Sequence, residues 1–184
     1  GLAWNPLTTQ IESHDWQVEL YDRIRHAGGI LHNLATDVWT YISMGYFTQI
    51  TVAGATGSTT MPNKINPIRF EKAEANLEIA GALLNSLSTT LVTSRLQRDL
   101  TDSSTQRNIG VAFGHSVLAL DNLTRGLGEI SLSQSTLDAA LDGNWEILGE
   151  AIQTVVRAEV VAGRSQSADP YAMLKELTRG RRVG

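Results

Sequence analysis

Cysteine is absent from the 184 residues, which excludes a disulfide framework and any thiolate metal site and agrees with a reducing, cytoplasmic setting. Long apolar runs are absent too. None approaches the roughly 18 to 20 residues needed to cross a bilayer, and the opening "GLAWNPLTTQ" has no basic region followed by an apolar one, so neither a membrane span nor a targeting signal is read. Runs of five or six like charges are missing and the net charge is −4, which leaves no footprint for nucleic acid or for a membrane surface. The four histidines form no cluster with carboxylates, so no metal site and no cofactor is expected. Alternating apolar and polar residues over a useful strand length are lacking as well.

What the chain does have is helical spacing, and at 42% apolar it can bury a real core. From Ser13 onward Leu20, Ile24, Ala27, Leu31, Leu34, Val38 and Tyr41 step by four and three, one stripe along a rod. Gly28 and Gly29 weaken that rod by about 1 kcal/mol each relative to alanine, and packing is expected to override them. Phe70, Ala73, Leu77, Ala80, Leu84, Leu87 and Leu91 mark a second rod, with Asn66 as N-cap and Pro67 at the first helical position. Ile109, Ala112, Ser116, Leu120, Leu123, Leu127 and Ile130 mark a third, starting near Asp102 with Ser103 and Ser104 in its first turn. Shorter helices follow: "SQSTLDAALDG", capped by Ser133 and ended by Gly143; "NWEILGEAIQTVVRAEVVAG", ended by Gly163; and "DPYAMLKELTRG". The fold class is all-α, with a long-helix bundle segment over 1–129 and part of a smaller helical domain over 130–184.

Between the first two rods lies "TVAGATGSTTMPNKINP", residues 51–67. Helices of a bundle usually join through two to eight residues, and composition alone leaves a plain linker and a functional loop equally open. The second half tips the balance. Lys64 and Asn66 precede the start of a long helix, where unpaired N–H groups and the macrodipole favour an anion. Taking a proton from a carbon next to a carboxylate loads further negative charge onto that carboxylate, and preorganised donors lower the barrier. Lys64, Asn66 and the helix start are such donors. Ser58 could serve as the base only in an electropositive, water-poor pocket.

"GSTTMPNKINP" resembles the signature loop of the fumarase, aspartase and argininosuccinate lyase superfamily, usually Gly-Ser-Ser-x-Met-Pro-x-Lys-x-Asn-Pro, with Thr59 in place of the second serine. Within it, "SRLQRDLTDSSTQRN" and "WNPLTTQIESHDW" are similar to the corresponding stretches of the adenylosuccinate lyase family, as are "NWEILGEAIQTVVR" and "KELTRGRRV", in its bacterial long form. The resemblance covers nearly the whole chain. It departs at Asn63, often histidine in the family, and at Lys72, where the long form tends to have asparagine and whose role stays open.

The resemblance implies a lyase of purine biosynthesis that releases fumarate by β-elimination, from adenylosuccinate to give AMP and from SAICAR to give AICAR. It makes Ser58 the catalytic base and assigns the substrate to Gln10, Thr59, Lys64, Asn66, Arg98, Ser103, Ser104 and Arg107. The chemistry is apt: guanidinium groups bind phosphate and carboxylate through paired hydrogen bonds. Capped helix ends with solvated arginines would look the same in any bundle. Residues 58–107 hold six basic and five acidic residues against nine and fourteen elsewhere, an asymmetry that favours an anion site. The family's general acid, a histidine in a Ser-His-Gly-type segment, has no counterpart here; His14, His26, His32 and His115 read as structural or surface residues. The family also implies a homotetramer, a small-molecule nucleotide substrate and active sites shared among three subunits. The chain therefore reads as a C-terminal fragment, inactive by itself. The rival readings are another fumarate-releasing lyase of the superfamily and a non-catalytic helical assembly module.

Overall fold

Helix dominates, as the three-four spacing requires, and the chain divides into two units, Gly1–Leu132 and Ser133–Gly184. The computed structural model describes residues 4–50, 66–165 and 169–180. Ser58, Thr59, Asn63 and Lys64 lie outside the described residues.

The first unit runs α1 (Asp15–Ser43), β1 (Phe47–Gln49), α2 (Ile68–Leu91), α3 (Thr101–Gln106), α4 (Ile109–Gly128) and β2 (Ile130–Leu132). Hydrogen bonds from Trp39 to Glu71, from Thr36 to Glu74 and between His32 and Glu78 show α1 and α2 antiparallel, since one number rises as the other falls. His115 against Asn76 and Gly126 against Phe70 set α4 antiparallel to α2 on another flank. α2 is thus the central rod, and every residue of its expected stripe is buried. Two clusters fill the core. Ala35, Val38, Phe70, Ala73, Leu77, Ala119 and Leu123 meet towards the β1–β2 end, and Tyr21, Leu84, Leu87, Leu91 and Ala112 at the other.

The flanking rods bury part of their expected stripes, Val38 on α1 and Ala112 and Leu123 on α4, and turn a neighbouring column inward beside them. On α1 the buried residues are Tyr21, Ala35 and Val38, whereas Leu20 and Leu34 are 44% and 37% exposed. On α4, Ala119 and Gly126 take the places expected of Leu120 and Leu127, which are 46% and 44% exposed. Each flanking rod meets α2 along one narrow line, and a small side chain there lets the backbones approach. α1 itself continues unbroken through Gly28 and Gly29.

Three boundaries differ from the sequence reading. α2 begins at Ile68 with Pro67, not Asn66, at the cap position, because the Pro67 carbonyl takes the first turn's N–H groups from Phe70 and Glu71. The third rod is broken into α3 and α4 at Arg107 and Asn108, where the Asn108 amide donates to the carbonyls of Ser104 and Thr105 and competes with the helical ladder. Asp102 does not cap it: Asp99 accepts the Thr101 N–H at 3.0 Å, while Asp102 takes that of Ser103. Ile130 ends no helix. It pairs with Gln49 in a short antiparallel ribbon, Phe47↔Leu132, Thr48↔Ser131 and Gln49↔Ile130, whose strands are too short to show alternation.

In the second unit Ser133 and Gly143 flank α5 (Gln134–Asp142) as expected. A 3-10 turn, Trp145–Leu148, precedes α6 (Gly149–Val161), and Gly163 follows at φ +70°, a left-handed angle that favours glycine. α7 (Pro170–Thr178) starts on Asp169, whose carboxylate accepts the N–H groups of Tyr171 and Ala172, both at 3.0 Å.

Gly126 marks a close approach of α4 to α2. A Cβ there would stand 2.9 Å from Phe70 Cζ and 3.0 Å from Arg69 Cβ. Gly126→Ala should therefore lower stability by up to about 2 kcal/mol in urea unfolding, a clash of roughly 1–3 kcal/mol offset by alanine's better helix propensity of about 1 kcal/mol. An unchanged midpoint would show that the ring moves aside freely.

Candidate active site

The described candidate residues gather at two ends of the rods. At one end stand Asn66, half-buried, and Pro67, followed by the first turn of α2. Arg69 reaches across to Glu129, its Nε and Nη2 donating to the two carboxylate oxygens at 3.2 and 3.1 Å. These bonds hold the guanidinium firmly protonated, raising an already high pKa.

Gln10, Arg98, Ser103, Ser104 and Arg107 lie at the other end, all exposed. The segment before α1 is tied there by the Ile11 N–H, which donates to the Gln97 carbonyl at 3.2 Å. Leu96 and Gln97 both have left-handed backbone angles, φ 53° and 59°, a costly conformation for side chains of their size. The turn they form brings Arg95 within 2.7 Å of Asp99. Hydrogen bonds from Thr101, from its hydroxyl first and then its N–H, hold Asp99 below the usual carboxylate range. Ser103 spends its hydroxyl on the Leu100 carbonyl at 3.1 Å.

His14 joins this end to the start of α1. It is buried, with φ 59°, and its Nε2 lies 2.9 Å from Gln106 Nε2 and 3.9 Å from Asp102 Oδ2. His32 and His115 bond Glu78 and Asn76, and His26 is exposed. Among the described residues no group of three histidines and carboxylates could hold a metal ion, and no helix is long and apolar enough to cross a membrane.

The two ends are far apart. α2 has 24 residues, which at about 1.5 Å each separates its termini by roughly 35 Å. One copy of the chain therefore does not bring Asn66 to Arg98, Ser103, Ser104 or Arg107. An open cleft of about 570 Å³ in the second unit, lined by Glu150, Gln153, Tyr171 and Lys175 among others, contains none of the residues named from the sequence.

Comparison with known proteins places both ends in one family. The family model described as "Adenylosuccinate lyase C-terminal" matches residues 94–184, and the one described as "Lyase" matches residues 2–80. Adenylosuccinate lyases of Vibrio cholerae and Escherichia coli are 47% and 46% identical over 183 residues, all of this chain. The chain belongs to the adenylosuccinate lyase family. The Dictyostelium discoideum adenylosuccinate lyase is 49% identical over 172 residues, 94% of this chain and 36% of its own length. The chain spans about 39% of the length of the two bacterial family members.

Sequence reasoning missed Glu129, Arg69 and the buried pairing of His14 with Gln106. Arg69 and Glu129 are 60 residues apart, and His14 and Gln106 are 92 apart. No local spacing signals either pair.

Proposed function

We propose that the full-length protein is a cytoplasmic adenylosuccinate lyase acting on adenylosuccinate and on SAICAR, with fumarate as the shared product. The observation that carries this reading is identity of 46–47% across the entire chain, through both groups of candidate residues. Ser58 takes the proton from the succinyl carbon next to a carboxylate. Lys64, Asn66 and the start of α2 stabilise the charge that accumulates on that carboxylate. The electron pair left on carbon forms the new double bond of fumarate as the carbon–nitrogen bond breaks, and an acid from outside this chain protonates the departing nitrogen. Arg98 and Arg107 hold phosphate and carboxylate groups by paired hydrogen bonds, with Gln10, Thr59, Ser103 and Ser104 as further contacts.

Separation of the candidates by the length of α2 supports a site completed by other copies, in a homotetramer. The rods carry apolar side chains for such an assembly: Ile30, Val111, Val117 and Leu118 are all half-exposed or more. The test is loss of adenylosuccinate absorbance. The full-length protein should convert it, and this chain alone should not. Turnover by the isolated chain would overturn the reading that the acid lies outside it, and a full-length protein that ignores adenylosuccinate but cleaves argininosuccinate would overturn the substrate.

A further inference from the structure

Glu129 holds both sides of the connection that carries Ser58. The described chain leaves at Ile50 and resumes at Asn66. The Ile50 N–H donates to the Glu129 carbonyl at 2.8 Å, one step past the Gln49↔Ile130 pair, so the ribbon's ladder ends on this residue. The Glu129 carboxylate accepts both bonds from Arg69, the second residue of α2. Glu129 is itself fixed, because its N–H closes the end of α4 on the Gly126 carbonyl at 3.1 Å.

An exposed ion pair usually contributes little, and the other arginine–carboxylate pairs among the described residues fit that rule: their partners lie within five residues of each other. Such pairs decorate one local segment. Arg69 and Glu129 instead join two rods 60 residues apart, through both oxygens of the carboxylate, with side chains only 32% and 35% exposed. The planar two-bond geometry fixes an angle as well as a distance. Beneath it α2 and α4 approach closely: a Cβ at Gly126 would stand 2.9 Å from Phe70 Cζ and 3.0 Å from Arg69 Cβ. The start of α2 is thereby referred to the same residue that receives Ile50.

We propose that Glu129 and Arg69 are positioning residues for the elimination, a clasp that sets the separation and angle of the two ends between which residues 51–65 run. Neither residue is among those assigned to the substrate. The inference rests on the reading of Ser58 as the base: a base placed about an ångström from its proton loses up to roughly 10²-fold in rate, so the ends of its connection have to be held.

The experiment uses the full-length protein, with kcat and KM for adenylosuccinate and the thermal midpoint measured for each variant. Glu129→Gln should lower kcat roughly tenfold, and Glu129→Arg, which sets two guanidinium groups against each other, should lower it further, toward the 10²-fold limit of misplacement. KM should stay within about twofold, because the substrate contacts are untouched. The swapped pair Arg69→Glu/Glu129→Arg should recover kcat to within roughly threefold of wild type, since the opposite charges face each other again. A merely structural pair would move the thermal midpoint and leave kcat of the folded protein alone. Wild-type kcat in Glu129→Arg, or a swapped pair as slow as the single variants, would overturn the clasp while leaving the lyase reading intact. A wild-type protein inactive on adenylosuccinate would overturn both.

Discussion

Replacing Ser58 by alanine in the full-length protein should lower kcat for adenylosuccinate by roughly 10²–10⁴-fold, the usual contribution of a positioned general base, with KM and the thermal midpoint near wild type. As the proposed base the hydroxyl would act only as the proton leaves carbon, so its loss would fall on the transition state and spare the ground-state complex. Activity within threefold of wild type would remove Ser58 from the mechanism and favour a non-catalytic assembly module. The geometry adds a second arm. Asn66 and Arg107 stand at opposite ends of the rods, so the proposed shared site, in which Ser58 acts together with Asn66, would draw Ser58 and Arg107 from different chains. Mixing Ser58→Ala subunits with Arg107→Ala subunits should then restore activity in up to about a quarter of the sites, those that draw both intact residues by chance. Hybrids no more active than either parent would place both residues of a site in one chain.

How much of this was legible beforehand depended on what each segment packs against. α2 was read correctly residue by residue because it is flanked by α1 and α4, so its one apolar stripe had no alternative. α1 and α4 carry two adjacent apolar columns each, and periodicity does not distinguish Leu34 from Ala35 or Leu120 from Ala119. The choice falls to close approach of backbones, which favours the smaller residue. The break at Asn108 came from a side chain competing for helix carbonyls, a local effect that a stripe running through it conceals. The candidate site was named almost wholly by the resemblance of "GSTTMPNKINP" and "SRLQRDLTDSSTQRN" to a family pattern. Physics alone offered Lys64 and Asn66 as donors at a helix start and could not have paired them with Arg98. That the two groups stand the length of α2 apart follows from that helix, already legible in its stripe, whereas that Glu129 serves both Ile50 and Arg69 follows from the ribbon, which has no local signature.

Phe70→Ala should cost about 3–5 kcal/mol of stability, a large share of the roughly 5–15 kcal/mol that holds a typical domain folded. The ring is 1% exposed and sits in the cluster with Val38, Ala73, Leu77 and Leu123. Its Cζ and Cε1 would stand only 2.9 and 3.2 Å from a Cβ placed at Gly126. Removing it leaves a cavity at the point where α2, α4 and the ribbon meet, one turn from Pro67. A cost below about 1 kcal/mol in urea unfolding would mean that the rods close over the gap and that the ring is not the pin between them. A double-mutant cycle separates the pin from simple burial. Phe70→Leu loses the outer ring atoms, leaving the Arg69 Cβ at 3.0 Å as the remaining close neighbour of a new Cβ at position 126. The penalty of Gly126→Ala should therefore shrink by at least about 0.5 kcal/mol in the leucine background. If the two costs simply add, ring and glycine are independent, and the close approach of α2 to α4 that supports the Arg69–Glu129 clasp needs another origin.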